Sequence, residues 1–141
     1  MKLSRRNFVK IGAASGLLVS TFPLLAAEPS KYRTALIGCG WWGNNILGEA
    51  MASGECEIVA LCDVDGRFLK QTLERVKKEM GNEPRIYKDY RELLQKEKPN
   101  ICIVATPDHW HPLITIDAVK SGANVYVEKP ISHTIKEGCA M

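Results

Sequence analysis

The chain has no pair of cysteines in C-x-x-C spacing, and its five, Cys39, Cys56, Cys62, Cys102 and Cys139, are odd in number. That speaks against a disulfide framework and against a structural zinc site. Cys39, Cys62 and Cys102 fall in or beside apolar runs, where cysteine serves as a small core hydrophobe. The sequence also lacks an uncharged run long enough to span a bilayer. "IGAASGLLVSTFPLLAA", from Ile11 to Ala27, has 17 residues broken by two glycines and a proline, against about 20 apolar residues for a span. Internal repeats and low-complexity tracts are missing too. So is a basic excess in the body of the chain. Lys2, Arg5, Arg6 and Lys10 stand in the first ten residues, and from Glu28 onward 15 Lys and Arg face 16 Asp and Glu. The formal charge of +3 therefore belongs to the start of the chain, and no electrostatic footprint for nucleic acid is left. With 45% hydrophobic and 25% charged residues, the 141-residue chain has the composition of a folded domain rather than a disordered one.

What is present begins with a leader. A basic stretch ending at Lys10, then the uncharged run to Ala27, reads as a signal peptide over residues 1–27. "SRRNFVK" resembles the twin-arginine export motif, with Val9 where leucine is commoner. Such a signal serves a route that carries folded proteins, so the reading predicts a periplasmic or exported protein whose partner is the twin-arginine machinery.

Beyond the leader, strand-like runs alternate with helical patterns. "RTALIG" (Arg33–Gly38), "EIVALCD" (Glu57–Asp63), "ICIVAT" (Ile101–Thr106) and "NVYVEK" read as strands, with a weak one at Arg85–Tyr87. Helices are predicted over Trp42–Ser53, along the face Leu69, Leu73, Val76 and Met80, over "YRELLQKE", and through Leu113, Ile116 and Val119. Strands apolar on both faces and joined by helices predict an α/β fold, a doubly wound parallel sheet. Thr134 with Glu137 makes a capping box that starts one more helix, and the chain stops about two turns later. The text reads as the first part of a longer protein.

"GCGWWG" sits between a strand and a helix, the context that makes G-x-G-x-x-G informative. Gly38 allows a tight turn, Gly40 lets the backbone approach a pyrophosphate, and Gly43 lets the helix pack on the strand. N–H groups at the helix start attract phosphate oxygens. Asp63, at the end of the second strand, can accept hydrogen bonds from ribose hydroxyls and repel a 2′-phosphate. That favours NAD, while Arg67 nearby, a cation able to receive the phosphate, keeps NADP open. Trp41 and Trp42 read as packing residues or pocket lining rather than as chemistry.

Two more polar stretches, "ATPDHWHP" (Ala105–Pro112) and "EKP" (Glu128–Pro130), follow later strands. Ligands of such sheets lie at the carboxyl ends of the strands, so these stretches converge on one crevice. Together, "GCGWWG", "CDVD" and "ATPDHWHPLITIDAVKSGANVYVEKPIS" resemble the amino-terminal half of the Gfo/Idh/MocA oxidoreductases, which include glucose–fructose oxidoreductase and inositol dehydrogenase. The likeness runs from about Tyr32 to Met141.

The resemblance implies a Rossmann domain over residues 32–141, incomplete at its carboxyl end, and a second α+β substrate domain absent from this chain. It implies a sugar or polyol substrate for the full-length parent. Lys129 would stand beside nicotinamide and substrate as acid, base or electrophile, a role suited to a partly desolvated lysine. Glu128 would bind the nicotinamide-side ribose, and Pro130 would follow a cis peptide. Thr106 and Pro107 would border the cofactor, with His111 in a positional role. The family's second domain supplies a catalytic histidine, the sugar pocket and much of the oligomer interface. The 141 residues alone therefore predict nucleotide binding without turnover, and a homo-oligomer only together with that domain. Some relatives are glycoside hydrolases that use NAD transiently, which is a rival reading; a nonenzymatic nucleotide-binding remnant is another. Asp108, His109 and His111 allow a zinc reading if another ligand arrived, or a plain polar loop with Asp108 as helix cap. The loop is preferred and no metal is predicted.

Overall fold

The structure, a computed structural model, describes residues 31–141; the leader read over residues 1–27 lies outside the described residues. Strands β1 (Tyr32–Ile37), β2 (Cys56–Cys62), β3 (Arg85–Tyr87), β4 (Ile101–Val104) and β5 (Asn124–Val127) form one sheet in the order β3-β2-β1-β4-β5. Every pairing is parallel. The helices are α1 (Trp41–Ala52), α2 (Gly66–Met80), α3 (Tyr90–Glu97), α4 (His111–Lys120) and α5 (Ile135–Ala140), with a 3-10 turn at Asp108–Trp110. Among the described residues no helix is long and apolar enough to cross a membrane.

The period-2 geometry of a strand explains why the runs are apolar throughout. Ala35 and Ile37 of β1 join Leu93 and Leu94 of α3 and Ile114 and Ala118 of α4 in one core. Leu36 between them points the other way and packs with Leu47 and Met51 of α1 and Leu69 and Val76 of α2. Each face of the sheet thus carries two helices, the doubly wound arrangement. Burying a Leu or Ile side chain stabilises by about 1.5–3 kcal/mol, and Leu36, Leu47, Ile58 and Leu61 are all fully buried.

Local signals set the ends. Asp65 and Asp89 cap α2 and α3, and Gly81 closes α2 at φ 73°. The capping box of Thr134 and Glu137 is formed at the start of α5. Four strands stop one or two residues short of the sequence reading: β1 ends at Ile37, β2 at Cys62, β4 at Val104 and β5 at Val127, where the chain turns into the loops at their carboxyl ends. In α4 the predicted markers are not the packing residues. Leu113 and Val119 are 43% and 55% exposed, while Ile114, Thr115 and Ala118 face the sheet. Small side chains there let the helix approach closely.

The sheet order reverses between β1 and β4: the chain moves outward through β2 and β3, then returns to the other side of β1. A crevice at the carboxyl ends of strands is expected at such a switch point.

Candidate functional site

The loop after β1 is held from several sides. Gly38 has φ +97°, and a Cβ there would lie 2.6 Å from the Ala105 carbonyl carbon, so both conformation and space require glycine. A Cβ on Gly43 would lie 2.0 Å from the Gly38 carbonyl oxygen, which explains how α1 starts against the turn. The Asp63 carboxylate accepts the Cys39 N–H at 2.7 Å and the Asp65 N–H at 2.8 Å. The Asn44 amide donates to the Cys39 carbonyl at 2.7 Å and to the Thr72 hydroxyl at 2.9 Å. Both ends of the Cys39 residue are therefore fixed, and the loop is preorganised. Burial first, then Asp63, pushes the Cys39 thiol far above its ordinary range.

Two clefts open at this edge. The larger, about 530 Å³, is bounded by Gly38, Gly40, Asp63, Tyr90, Thr106 and Pro107. The smaller, about 410 Å³, is lined by Trp41, Trp42, Thr106, His111, Glu128 and Lys129. Ala105 and Thr106 line both, so the clefts are neighbours across the loop that follows β4.

In the smaller cleft Glu128 is 8% exposed. It accepts the Tyr126 hydroxyl at 3.1 Å and the Lys129 N–H at 3.2 Å. The Trp42 indole N–H, more than these, holds the Glu128 carboxyl below the usual carboxylate range. His111 is buried, with Nδ1 2.8 Å from the Pro130 carbonyl oxygen and Nε2 2.7 Å from that of Thr106. A neutral ring donates to one of these and a protonated ring to both. The imidazole stands between the Thr106 loop and the Lys129–Pro130 turn, whose peptide is cis, and only the protonated ring bonds both.

The family model for oxidoreductases with an NAD-binding Rossmann fold, Gfo/Idh/MocA, matches residues 32–141. The chain belongs to this family. Among its relatives is a glycosyl hydrolase family 109 protein of Akkermansia muciniphila, 33% identical over 116 residues, 79% of this chain and 24% of the relative. An alpha-N-acetylgalactosaminidase of Shewanella oneidensis is 30% identical over 122 residues, 84% of this chain and 27% of the relative. Among solved structures, the WlbA dehydrogenase of Chromobacterium violaceum, in complex with NADH and UDP-GlcNAcA, superposes with TM-score 0.70 and 29% identity over 79% of this chain and 31% of that one. The myo-inositol 2-dehydrogenase of Lactobacillus plantarum gives 0.68 and 28% over 78% of this chain and 31% of that one. The chain spans about a quarter to a third of the length of these proteins.

As a Gfo/Idh/MocA Rossmann domain the chain is NAD-binding, and its residues fit the dinucleotide. A Cβ on Gly40 would meet nothing within 4 Å, so the backbone there lies open to an approaching group. Thr106 Oγ1, where the clefts adjoin, is buried and has no protein partner. Of the predicted site residues, Gly38, Gly40, Trp41, Trp42, Asp63, Thr106, Pro107, His111, Glu128 and Lys129 line the clefts, and Gly43 lies in α1 against the Gly38 turn. Lys129 differs from expectation in being exposed rather than partly desolvated, since it stands on the open side of the smaller cleft.

Asp108 is not the cap of α4. Its carboxylate accepts the His109 N–H at 2.8 Å inside the 3-10 turn, and α4 starts at His111 with Pro112 in its first turn. The His133 ring, 3.3 Å away, is the first cause holding the Asp108 carboxyl below its ordinary range. Among the described residues no group of three or more His, Cys, Asp or Glu is placed to hold a metal. Sequence reasoning missed Asn44, Thr72 and the wall made by Phe68, Tyr90 and Trp110. The residues that fix the loop lie some 30 positions apart, and only the start of α1 after the glycines hinted at Asn44.

Proposed function

We propose that this chain is the cofactor-holding part of an exported, NAD-dependent enzyme acting on a sugar- or polyol-like substrate, with residues 1–27 as its twin-arginine leader. One observation carries the reading. The glycine loop, Asp63 and the Glu128–Lys129–Pro130 turn meet at adjoining clefts over the β1/β4 switch point. Bound there, the nicotinamide ring supplies hydride exchange with a substrate carbon. Main-chain N–H groups at the start of α1 bind the pyrophosphate. Asp63 keeps a free lone pair on each oxygen for the adenosine ribose while it fixes the loop. Glu128 accepts from the other ribose, and Thr106 Oγ1 gains a partner. Lys129, beside the reacting carbon, holds or releases the proton of the substrate oxygen.

The dehydrogenase neighbours, one solved with NADH and a sugar nucleotide and another an inositol enzyme, support the sugar or polyol class. The test is a fluorescence titration of the folded 141-residue chain with NADH. Saturable binding is expected, and its absence overturns the reading. Export is tested by changing Arg5 and Arg6 to Lys and fractionating cells. The variant should stay in the cytoplasm, and unchanged periplasmic delivery removes the leader.

A second reading is favoured by the names of the curated relatives: hydrolysis of a glycoside through transient oxidation by bound NAD. The same clefts would serve it. For the whole protein, cleavage of an aryl glycoside without net NADH selects the hydrolase, and net NADH from a free sugar or polyol selects the dehydrogenase.

A further inference from the structure

The elements that follow β2 and β3 begin with the same pattern, Asp65-Gly66-Arg67 and Asp89-Tyr90-Arg91. In each, the aspartate caps its helix by accepting the arginine N–H, at 2.8 Å for Arg67 and 2.9 Å for Arg91. The same carboxylate also takes the guanidinium. Arg67 Nη2 lies 2.7 Å from Asp65 Oδ2, with Nε 3.1 and 3.2 Å from the two oxygens. Arg91 Nη1 lies 3.5 Å from Asp89 Oδ1, and its guanidinium carbon sits 4.4 Å from the centre of the Tyr90 ring. Asp65 and Asp89 both line the larger cleft together with Asp63. Arg67 does not line it, and its side chain is 88% exposed.

A 2′-phosphate on a dinucleotide whose ribose rests at Asp63 would carry close to two negative charges into this group of three carboxylates. It would find Lys88 as the one lining cation without a carboxylate partner among the described residues. We propose that the Asp65–Arg67 and Asp89–Arg91 pairs set cofactor specificity: each aspartate keeps its arginine from a 2′-phosphate, so the cleft selects a dinucleotide with a free 2′-hydroxyl. This rests on the reading of the larger cleft as the adenosine end of the NAD site. It adds two residue pairs to the discrimination expected of Asp63. The proposal runs against the sequence reading of Arg67 as a receiver for the phosphate, because its Nε and Nη2 already donate to Asp65.

Asparagine caps a helix as well as aspartate, so Asp65→Asn and Asp89→Asn remove charge and keep the turns. An exposed ion pair shifts an equilibrium only a few-fold. Each single variant should therefore raise the ratio of NADPH to NADH affinity about threefold and the double variant about tenfold. The gain should shrink as salt rises. Adding Arg67→Ala and Arg91→Ala to the double variant should abolish it. Binding is read by NADH and NADPH fluorescence titration of the 141-residue chain, with a circular dichroism melt to confirm folding. An unchanged ratio in a folded double variant that still binds NADH overturns the proposal and leaves the cofactor site standing. A gain that survives loss of both arginines also overturns it. Failure of the parent to bind NADH overturns site and proposal together.

Discussion

Gly40 has an ordinary φ of −66° and an empty space where its Cβ would be. Nothing inside the protein asks for glycine there, whereas Gly43 is hemmed in by the Gly38 carbonyl. Alanine at the two positions should separate binding from folding. Gly40→Ala should change stability by less than about 1 kcal/mol, the cost of a poorer cap, yet weaken NADH at least about tenfold by placing a methyl where the pyrophosphate approaches. Gly43→Ala should cost about 1–3 kcal/mol through overpacking. Urea melts and NADH titrations of both variants check this, and equal stability losses would contradict it. At this scale the sequence was read well for the three glycines, whose spacing follows from local geometry. It was silent on Asp63 as a clamp of the Cys39 N–H, on Asn44, and on Trp42 as donor to Glu128. Those contacts join residues that only the folded chain brings together.

Elements were legible wherever a period or a cap is written locally. α3 and β3 have the predicted bounds, and the capping box of α5 forms as its residues direct. α4 was harder, because its packing face combines Ile114 with His111, Thr115 and Ala118, while Leu113 and Val119 point outward. A feature with no sequence signal lies at the amino ends of the strands. Glu97, ending α3, is 3% exposed and takes Arg85 Nη2 at 2.5 Å and the Tyr87 hydroxyl, with Arg33 Nη2 at 3.6 Å. It fastens α3 to β1 and β3. Replacing it by Gln should destabilise by about 1–3 kcal/mol, since the buried amide would face donors it cannot all accept. NADH affinity should not move, because the clefts lie at the opposite ends of the strands. Chemical denaturation alongside an NADH titration checks both halves.

At the level of the molecule, four of the five cysteines are buried and all five are free. Burial pushes Cys62 and Cys102 up to about 12, and burial followed by Glu97 takes Tyr87 to about 12. These groups keep their protons in the folded chain while the unfolded chain releases thiol protons near pH 8.5 and phenol protons near 10. Above about pH 8.5 the unfolded state therefore binds fewer protons, and stability falls as pH rises toward 12. The acid limb has the opposite sense. Asp65 is lowered to about 2 by Arg67, so its contribution, present above about pH 4, is lost as pH falls toward 2. Urea midpoints across the pH range should show a plateau with both declines, and a rise above pH 9 would contradict the assignment. A thiol reagent should label Cys139 at once and the other four only on unfolding. The doubly wound fold was readable because the three central strands, β1, β2 and β4, are apolar on both faces.

All three tryptophans of the chain, Trp41, Trp42 and Trp110, stand on the walls of the two clefts and none in either core. Indole emission from this protein is therefore a lamp hung at the crevice mouth. It reports what enters and how the rims are arranged, while the interior between sheet and helices stays dark to it.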